Sequence, residues 1–288
     1  MAAKYVISSD NTTDLPQEFI EKNALPIAFL SYSIDGKEYG QEDGLEIGEF
    51  YRQMREGKMT KTGMVNPEDA RALFEPLLKQ GYDLLHLAFS SGLSGTYASC
   101  CAAAEELREA YPERRIEVVD TLAASLGEGL IVYKALKMKS EGSTMDEVLR
   151  WLEENKLHLC HYFTVDDLHF LHRGGRVSKA AAVMGTMLGI KPVLHVDDAG
   201  HLIPLTKVRG RKQSLSKLVD YMEELSIGYE NDIVFISHGD CEADAQYVAD
   251  EVRSRLGVKN FIINHVGPTI GAHSGPGTVA LFFFGERR

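Results

Sequence analysis

The segment LLHLAFSSGLSGTY, residues 84–97, decides how the rest of the chain can fold. Five of its first six residues are apolar and predict a buried strand. The Gly, Ser and Thr residues that follow predict a tight turn, and the alanine-rich residues 98–107 predict a helix. A turn that joins a strand to a helix presents hydroxyl groups and unpaired N–H groups at the positive helix end. Such a place can bind an anion, although an ordinary turn whose Ser and Thr cap a helix has the same pattern.

The residues on either side of this segment continue the alternation of strands and helices. Strands are predicted at 4–9 and 116–120, and helices at 123–140 and 145–155. Strands that alternate with helices indicate a parallel sheet covered by helices. The sequence therefore predicts an N-terminal α/β domain, Rossmann-like in architecture, over residues 1–157.

Two stretches of this first half are less regular. Residues 26–34 alternate like one strand and run into Asp35-Gly36, a strong hairpin signal. Residues 58–65 show no periodicity, so Thr62 is predicted to lie in a loop. Asn66 and Pro67 then predict the cap and first turn of a helix.

The pattern changes near residue 158. A strand at 158–165, a helix of small residues at 178–188 and a hairpin around Asp197-Asp198-Ala199-Gly200 indicate antiparallel pairing. Residues 267–277 are rich in glycine and predict a loop. We expect a C-terminal α+β domain with a mixed sheet over residues 158–288.

The composition and net charge of the chain limit the classes of function that it can have. The chain has 288 residues, of which 44% are hydrophobic, and a net charge of −11, which argues against binding nucleic acid. The span 171–215 nevertheless holds eight Lys and Arg against two Asp, which indicates either a solvated face or a site for an anion. No apolar run reaches membrane-spanning length and no signal peptide is evident, so the expected location is the cytoplasm.

Cysteine and histidine spacings do not predict a metal site. The four cysteines lack a Cys-x-x-Cys spacing and are expected to be reduced. His158 and His161 would face opposite sides of a strand. His169 and His172 could share a helical face, but no third ligand is paired with them, and zinc needs at least three protein ligands.

Signatures of nucleotide and hydrolase chemistry are also missing. Neither a P-loop nor a dinucleotide fingerprint follows the first strand, so the sequence shows no means of holding ATP itself. The segment Gly92-Leu93-Ser94-Gly95-Thr96 resembles a nucleophile elbow, but its second glycine comes one position early. A Ser/His hydrolase or phosphotransferase acting at Ser94 or His273, with Asp10 as orienting residue, stays open as an alternative.

The chemistry-bearing residues that remain are Thr62, the Ser94-Gly95-Thr96 turn, Arg209 and His273. Together with the segments around them, their order and spacing over nearly the whole chain resemble the DegV family. The segments that carry the resemblance are Ser8 to Pro16, Thr62, Ser91 to Tyr97, Phe163 to Leu168, Arg173 to Arg176, Gly189 to Pro192, Val208 to Gly210 and Gly271 to His273.

The resemblance implies a protein that binds one long-chain fatty acid, such as palmitate or oleate, between its domains. It implies no other cofactor and no catalytic residue of its own: the protein would be the acyl-binding subunit of a bacterial fatty acid kinase, and a separate subunit would bind ATP. Thr62, Ser94, Gly95 and Thr96 would then hold the carboxylate, and Arg209 and His273 would serve phosphoryl transfer or the partner. A transient contact with a membrane surface is a further expected interaction.

One segment departs from the family pattern. Where the family usually has Thr-Ser-Gln-Pro-Ser, this chain has Thr62-Gly63-Met64-Val65-Asn66, which keeps the threonine and the helix cap. A fatty acid needs only an apolar tunnel and neutral donors, since each buried methylene contributes about 0.8 kcal/mol. The Met and Ala residues of 180–188 could line such a tunnel, although packing of the helix explains most of them equally well.

Overall fold

A computed structural model of the protein describes residues 4–178 and 189–288. Its strands are β1 (Tyr5–Asp10), β2 (Ile27–Ala28), β3 (Tyr32–Ile34), β4 (Lys37–Tyr39), β5 (Thr60–Thr62), β6 (Asp83–Ala88), β7 (Ile116–Asp120), β8 (Leu159–Thr164), β9 (Ile190–Val196), β10 (Leu202–Arg209), β11 (Ile233–His238), β12 (Asn260–His265) and β13 (Val279–Phe284).

The helices follow the same chain order. They are α1 (Gln17–Lys22), α2 (Ile47–Arg55), α3 (Pro67–Lys79), α4 (Thr96–Ala110), α5 (Leu126–Ser140), α6 (Met145–Asn155), α7 (Leu168–Arg173), α8 (Arg211–Leu225), α9 (Glu242–Leu256) and α10 (Pro268–Ser274). Single turns of 3₁₀ helix lie at Asn11–Thr13 and Lys156–His158. The small-residue helix predicted at 178–188 lies almost entirely outside the described residues.

The N-terminal domain is built on a four-stranded sheet in the order β2-β1-β6-β7, and every pair in it is parallel. The central strand β6 is the apolar run that the sequence singles out, and it is buried along nearly its whole length. Because parallel strands end at the same edge, the turns after β1, β6 and β7 meet at one edge of the sheet. The predicted parallel-sheet domain is confirmed.

A small antiparallel sheet in the order β4-β3-β5 corrects two predictions. The single strand predicted at 26–34 is two strands, since β2 pairs with β1 and β3 joins the small sheet. Residues 60–62 are not a loop but strand β5, in which Thr62 pairs with Tyr32. A three-residue strand has too few side chains to show a period, and its partner lies about 30 residues earlier in the chain.

The C-terminal domain has a six-stranded sheet in the order β10-β9-β8-β13-β11-β12. Its pairs are antiparallel except for the parallel pair β11 and β12. The hairpin predicted at 197–200 connects β9 to β10. This mixed sheet confirms the predicted fold class, while the boundary at residue 157 stays a prediction.

Helix α5 lies at the contact between the two domains. Its first seven residues, 126–132, are all buried, and Leu130, Ile131 and Val132 belong to a core that also contains Phe163 and Phe282 from the C-terminal sheet. A helical segment that is buried on every side is stable only when other elements cover it. The interdomain core therefore fixes the two sheets against each other around α5.

The glycine-rich segment near the end of the sequence is helix α10 rather than a loop. Gly267 is its N-cap, Pro268 occupies the first turn, and Gly275 ends it with a φ of +80°. Gly271 faces α2, where an added Cβ would lie 2.6 Å from the Tyr51 hydroxyl oxygen. Glycine is present here because two helices approach closely, so the predicted flexible loop around His273 is wrong.

No helix among the described residues is long and apolar enough to cross a membrane.

Candidate functional site

A cavity of about 1070 Å³, which includes the space at its open mouth, lies where the two domains meet. Its lining is mainly apolar and comes from both domains, with Leu30, Phe89, Leu93, Phe163, Val266 and Phe282 among its residues. A mainly apolar lining with a few polar groups is typical of pockets that bind small molecules. The cavity also contains the sequence-predicted residues Thr62, Ser94, Gly95 and His273.

The turn after β6 brings hydroxyl groups to the edge of this cavity. Gly95 is the N-cap of α4, and Thr96 is the first residue of that helix. Ser94 Oγ lies 3.0 Å from Thr96 Oγ1 and accepts a hydrogen bond of 3.2 Å from the Thr96 N–H. Thr96 is fully buried and also accepts a bond of 3.3 Å from the Val65 N–H. Ser94 is therefore the lining hydroxyl, and Thr96 holds it in place.

Thr62 reaches the cavity from the end of β5. Its Oγ1 lies 2.8 Å from Nε2 of His273 on α10, so a residue of the N-terminal domain is joined to one of the C-terminal domain. If Nε2 carries the proton, the ring donates to Thr62, and the threonine O–H is free to donate into the cavity. The two residues thus form one hydrogen-bonded unit rather than two separate groups.

The surroundings of His273 favour its neutral form. Burial, together with the positive charges of Arg176 and Arg173, lowers the pKa of His273 from 6.5 to about 4. Its Nδ1 has no hydrogen-bond partner. An added Cβ at Gly174 would lie 2.1 Å from this nitrogen, so a side chain there would displace the ring. At neutral pH the ring is uncharged and can act as either a donor or an acceptor.

Two arginines that could interact with an anionic ligand, Arg209 and Arg176, differ in their position relative to the cavity. Arg209 ends the edge strand β10, is exposed, and is not among the described lining residues. Arg176 does line the cavity, and its Nε and one terminal nitrogen donate to the Leu93 carbonyl at 3.1 and 2.9 Å. In the sequence, Arg176 belongs to a basic span and to one of the segments that resemble the DegV family, but it was not predicted to be a site residue. The Gly-Gly turn before it was the available signal.

The loop that departs from the family pattern forms part of the mouth of the cavity. Met64 is 54% exposed, and its sulfur packs over Gly95, where an added Cβ would lie 2.6 Å away. Gly63 donates its N–H to the Ser31 carbonyl at 2.8 Å. The substituted loop therefore remains tied to β3, and it places a flexible thioether beside the Ser94 turn.

A second polar group lies in the wall of the same cavity. Ser125 and Ser237 both line it, and their Oγ atoms are 3.0 Å apart. Ser125 also donates to Asp14 Oδ2 at 2.5 Å, and Asp14 Oδ1 accepts from the Gly267 N–H at 2.9 Å. Burial raises the pKa of Asp14 to about 7. Neither serine was predicted as a site residue, because they lie 112 positions apart in sequence.

Asp10, His86 and Cys100 form a buried cluster beneath the central sheet. Their potential ligand atoms lie within 4.8 Å of one another, and none of the three is among the described cavity residues. Ser8 Oγ lies 2.9 Å from His86 Nδ1, and the Phe89 N–H donates to Asp10 Oδ2 at 2.7 Å. His86 Nε2 also lies 3.3 Å from Asp10 Oδ1 and 3.4 Å from Cys100 Sγ, so the three side chains form a buried internal network that joins β1, β6 and α4.

The predicted hydrolase residues are not arranged as a catalytic triad. Ser94 Oγ is bonded within its own turn, His273 Nε2 is bonded to Thr62, and Asp10 is bonded to the Phe89 N–H. A triad needs a hydrogen bond from nucleophile to base and another from base to carboxylate. No described contact supplies either bond among these three residues.

The fold and the site define a two-domain α/β protein with an apolar ligand cavity between its domains. Residues 4–286 match the family model described as "Uncharacterised protein, DegV family". A DegV domain-containing protein of Clostridium perfringens is 45% identical over 99% of both chains. The chain belongs to the DegV family, as the resemblance in the sequence indicates.

Two solved structures that are similar to this chain are described as fatty-acid-binding proteins. The chain superposes with a TM-score of 0.87 on a Thermus thermophilus protein described by "Fatty Acid Binding of a DegV family Protein", at 29% identity with 98% and 99% of the two chains covered. It superposes equally well, at 27% identity and 98% coverage of both chains, on a stearic acid-binding protein from Eubacterium ventriosum.

Proposed function

We propose that this protein binds one long-chain fatty acid in the interdomain cavity, with the carboxylate at the end where Thr62 and Ser94 lie. The observation that carries the proposal is an apolar cavity whose lining includes two neutral hydroxyl groups, Thr62 at the end of β5 and Ser94 in the turn after β6. The fatty acids described for the related solved structures support the same ligand class.

The energetics favour such a ligand. Burial of a C16 chain gives a gross gain above about 10 kcal/mol at roughly 0.8 kcal/mol per methylene, before the costs of ordering are subtracted. The head group then needs only hydrogen-bond donors. Thr62 and Ser94 can donate without neutralising the carboxylate, which leaves an oxygen able to attack phosphorus.

We further propose that the protein presents this carboxylate to a separate ATP-binding kinase subunit, which forms the acyl phosphate. Nothing in the sequence indicates a site for ATP in this chain, so the phosphoryl donor has to come from a partner. In this scheme His273, bonded to Thr62, acts beside the carboxylate, and the exposed Arg209 acts at the partner surface. The protein has no catalytic activity by itself.

The binding proposal is tested by identification of what the purified protein carries. We expect native mass spectrometry to show one bound fatty acid per chain and chloroform extraction to release it. Delipidated protein should bind palmitate or oleate again with one-to-one stoichiometry. An empty protein that does not take up fatty acid but turns over acyl esters would contradict the proposal and favour the hydrolase alternative.

A further inference from the structure

An exposed methionine lies at the mouth of the ligand cavity. Met64 lines the cavity and is 54% exposed. Its sulfur packs over Gly95, where an added Cβ would lie 2.6 Å from it. The next residue, Val65, donates its N–H to Thr96 Oγ1 at 3.3 Å, which holds the backbone of this loop against α4. The side chain of Met64 is therefore kept at the mouth of the cavity, where solvent also reaches it.

Both hydroxyl groups that are proposed to hold the carboxylate are neighbours of this contact. Thr62 comes two residues before Met64, and Ser94 comes immediately before Gly95, on which the sulfur packs. Thr62, Met64 and Ser94 all line the cavity. A thioether is apolar and only a weak hydrogen-bond acceptor, so it leaves both O–H groups to the carboxylate of a bound fatty acid.

Oxidation changes the chemistry of this sulfur. When a hydroperoxide such as hydrogen peroxide reaches Met64, the sulfur lone pair attacks one peroxide oxygen, an S–O bond forms and the O–O bond breaks. The sulfur is oxidised to the sulfoxide, and the peroxide is reduced: the leaving hydroxide takes up the remaining proton and becomes water. The product is a polar group whose oxygen carries partial negative charge and accepts hydrogen bonds.

One other methionine among the described residues is exposed, and it differs from Met64 in position. Met59 is 46% exposed, is not among the described lining residues, and has Arg173 Nη1 at 3.5 Å from its sulfur. An oxidant in solvent reaches exposed sulfurs first. The methionines that the core encloses are Met54, Met145 and Met222. The chain therefore offers two accessible sulfurs, of which Met64 is the one at the cavity.

We propose, on the basis of the proposed function, that Met64 is a modification site whose oxidation to the sulfoxide by a hydroperoxide lowers the affinity of the protein for fatty acid. The sulfoxide oxygen accepts the O–H of Thr62 or Ser94 that the carboxylate otherwise receives, and its partial negative charge opposes the carboxylate. Reduction by a methionine sulfoxide reductase restores the thioether. The family pattern has Gln at this position, whose amide donates as well as accepts, so the sensitivity belongs to the departing loop of this chain.

The test titrates oleate into delipidated protein before and after treatment with hydrogen peroxide, with peptide mass spectrometry to locate the added oxygen. We expect the Kd for oleate to rise about fivefold or more once Met64 carries an oxygen. Met64→Leu, of similar volume and not oxidisable, should keep its affinity after treatment. Met59→Leu is the matched control and should lose affinity as the wild type does. A methionine sulfoxide reductase should restore binding, whereas dithiothreitol should not, which separates Met64 from oxidation of the free cysteines.

Three results would overturn the inference. The first is unchanged oleate affinity in wild-type protein whose Met64 is shown to be oxidised. The second is an equal loss of affinity in Met64→Leu, which would assign the effect to another residue. The third is a Met64 that takes up no oxygen under conditions that oxidise Met59. Failure of the untreated protein to bind oleate would instead contradict the proposed function, so the two kinds of failure are distinguishable.

Discussion

Thr62 Oγ1 lies 2.8 Å from Nε2 of His273, so a hydrogen bond within the cavity lining links the N-terminal domain to the C-terminal domain. The threonine ends a strand of the small sheet and the histidine belongs to α10, 211 positions later. This relationship connects the residue proposed to hold the carboxylate with the residue proposed to assist phosphoryl transfer.

The first prediction concerns the hydroxyl groups that are proposed to hold the carboxylate. Thr62→Ala and Ser94→Ala should each weaken fatty acid binding by about 1–3 kcal/mol, or roughly 5- to 150-fold, because a buried carboxylate oxygen loses a donor. A displacement assay with a fluorescent fatty acid measures this change, and Thr62→Ser is the conservative control that should bind nearly normally. Unchanged affinity in both alanine variants would remove these residues from the site.

The second prediction distinguishes residues that act in phosphoryl transfer from residues that bind the fatty acid. Arg209→Ala should lower the rate of acyl-phosphate formation by about tenfold or more without a change in oleate occupancy, because it lies outside the cavity lining and acts on charge that develops in the transfer step. His273→Ala should lower the rate by more than it lowers occupancy. The measurement uses oleate-loaded protein, a cognate kinase subunit and ATP. Near-normal turnover, or occupancy lost in step with turnover, would contradict this division of roles.

The third prediction follows from the pKa of His273, which is about 4 in the folded protein against 6.5 for an ordinary histidine. Between pH 6.5 and 4 the unfolded chain takes up a proton that the folded protein does not, so the free energy of unfolding falls as pH falls. His273→Asn removes this contribution. Urea unfolding at pH 7 and pH 4.5 should show the variant less stable at pH 7 and the gap to wild type reduced at pH 4.5.

The other shifted groups do not obscure this comparison. His238, whose pKa burial also lowers to about 4, and Asp14, whose pKa burial raises to about 7, are present in both proteins and cancel in the difference. A gap between wild type and variant that is the same at both pH values would show that His273 does not titrate in this way.

The fourth prediction compares two glycines that line or adjoin the cavity. Gly127→Ala places a Cβ 2.3 Å from the His161 ring and 2.8 Å from Phe282, which are both buried, and should lower the free energy of unfolding by about 1–3 kcal/mol. Gly95→Ala meets only the sulfur of the exposed Met64, a flexible side chain that can move. Its cost should stay within about 0.5 kcal/mol. Equal losses in thermal or urea unfolding would contradict this reasoning.

The sequence by itself determined the features that depend on neighbouring residues. The strand, turn and helix at 84–97, the Asn66 cap and the hairpin at Asp35-Gly36 all lie where the pattern predicts them. Each is set by local rules of periodicity, capping and turn chemistry, which act within a few residues. The alternation of these elements was enough to predict the two-domain α/β class and, with the motifs, the family.

Only the tertiary structure decided which of the candidate residues lie close together in space. Strand β5 forms because β3 pairs with it, and Gly271 of α10 is required because Tyr51 of α2 packs closely against that helix. Arg176 lines the cavity, whereas Arg209 lies on an exposed edge strand, and Ser125 lies beside Ser237 of the other domain. Contacts between residues that are distant in sequence depend on how their segments pack around a shared core. No pattern within a short stretch of sequence carries that information.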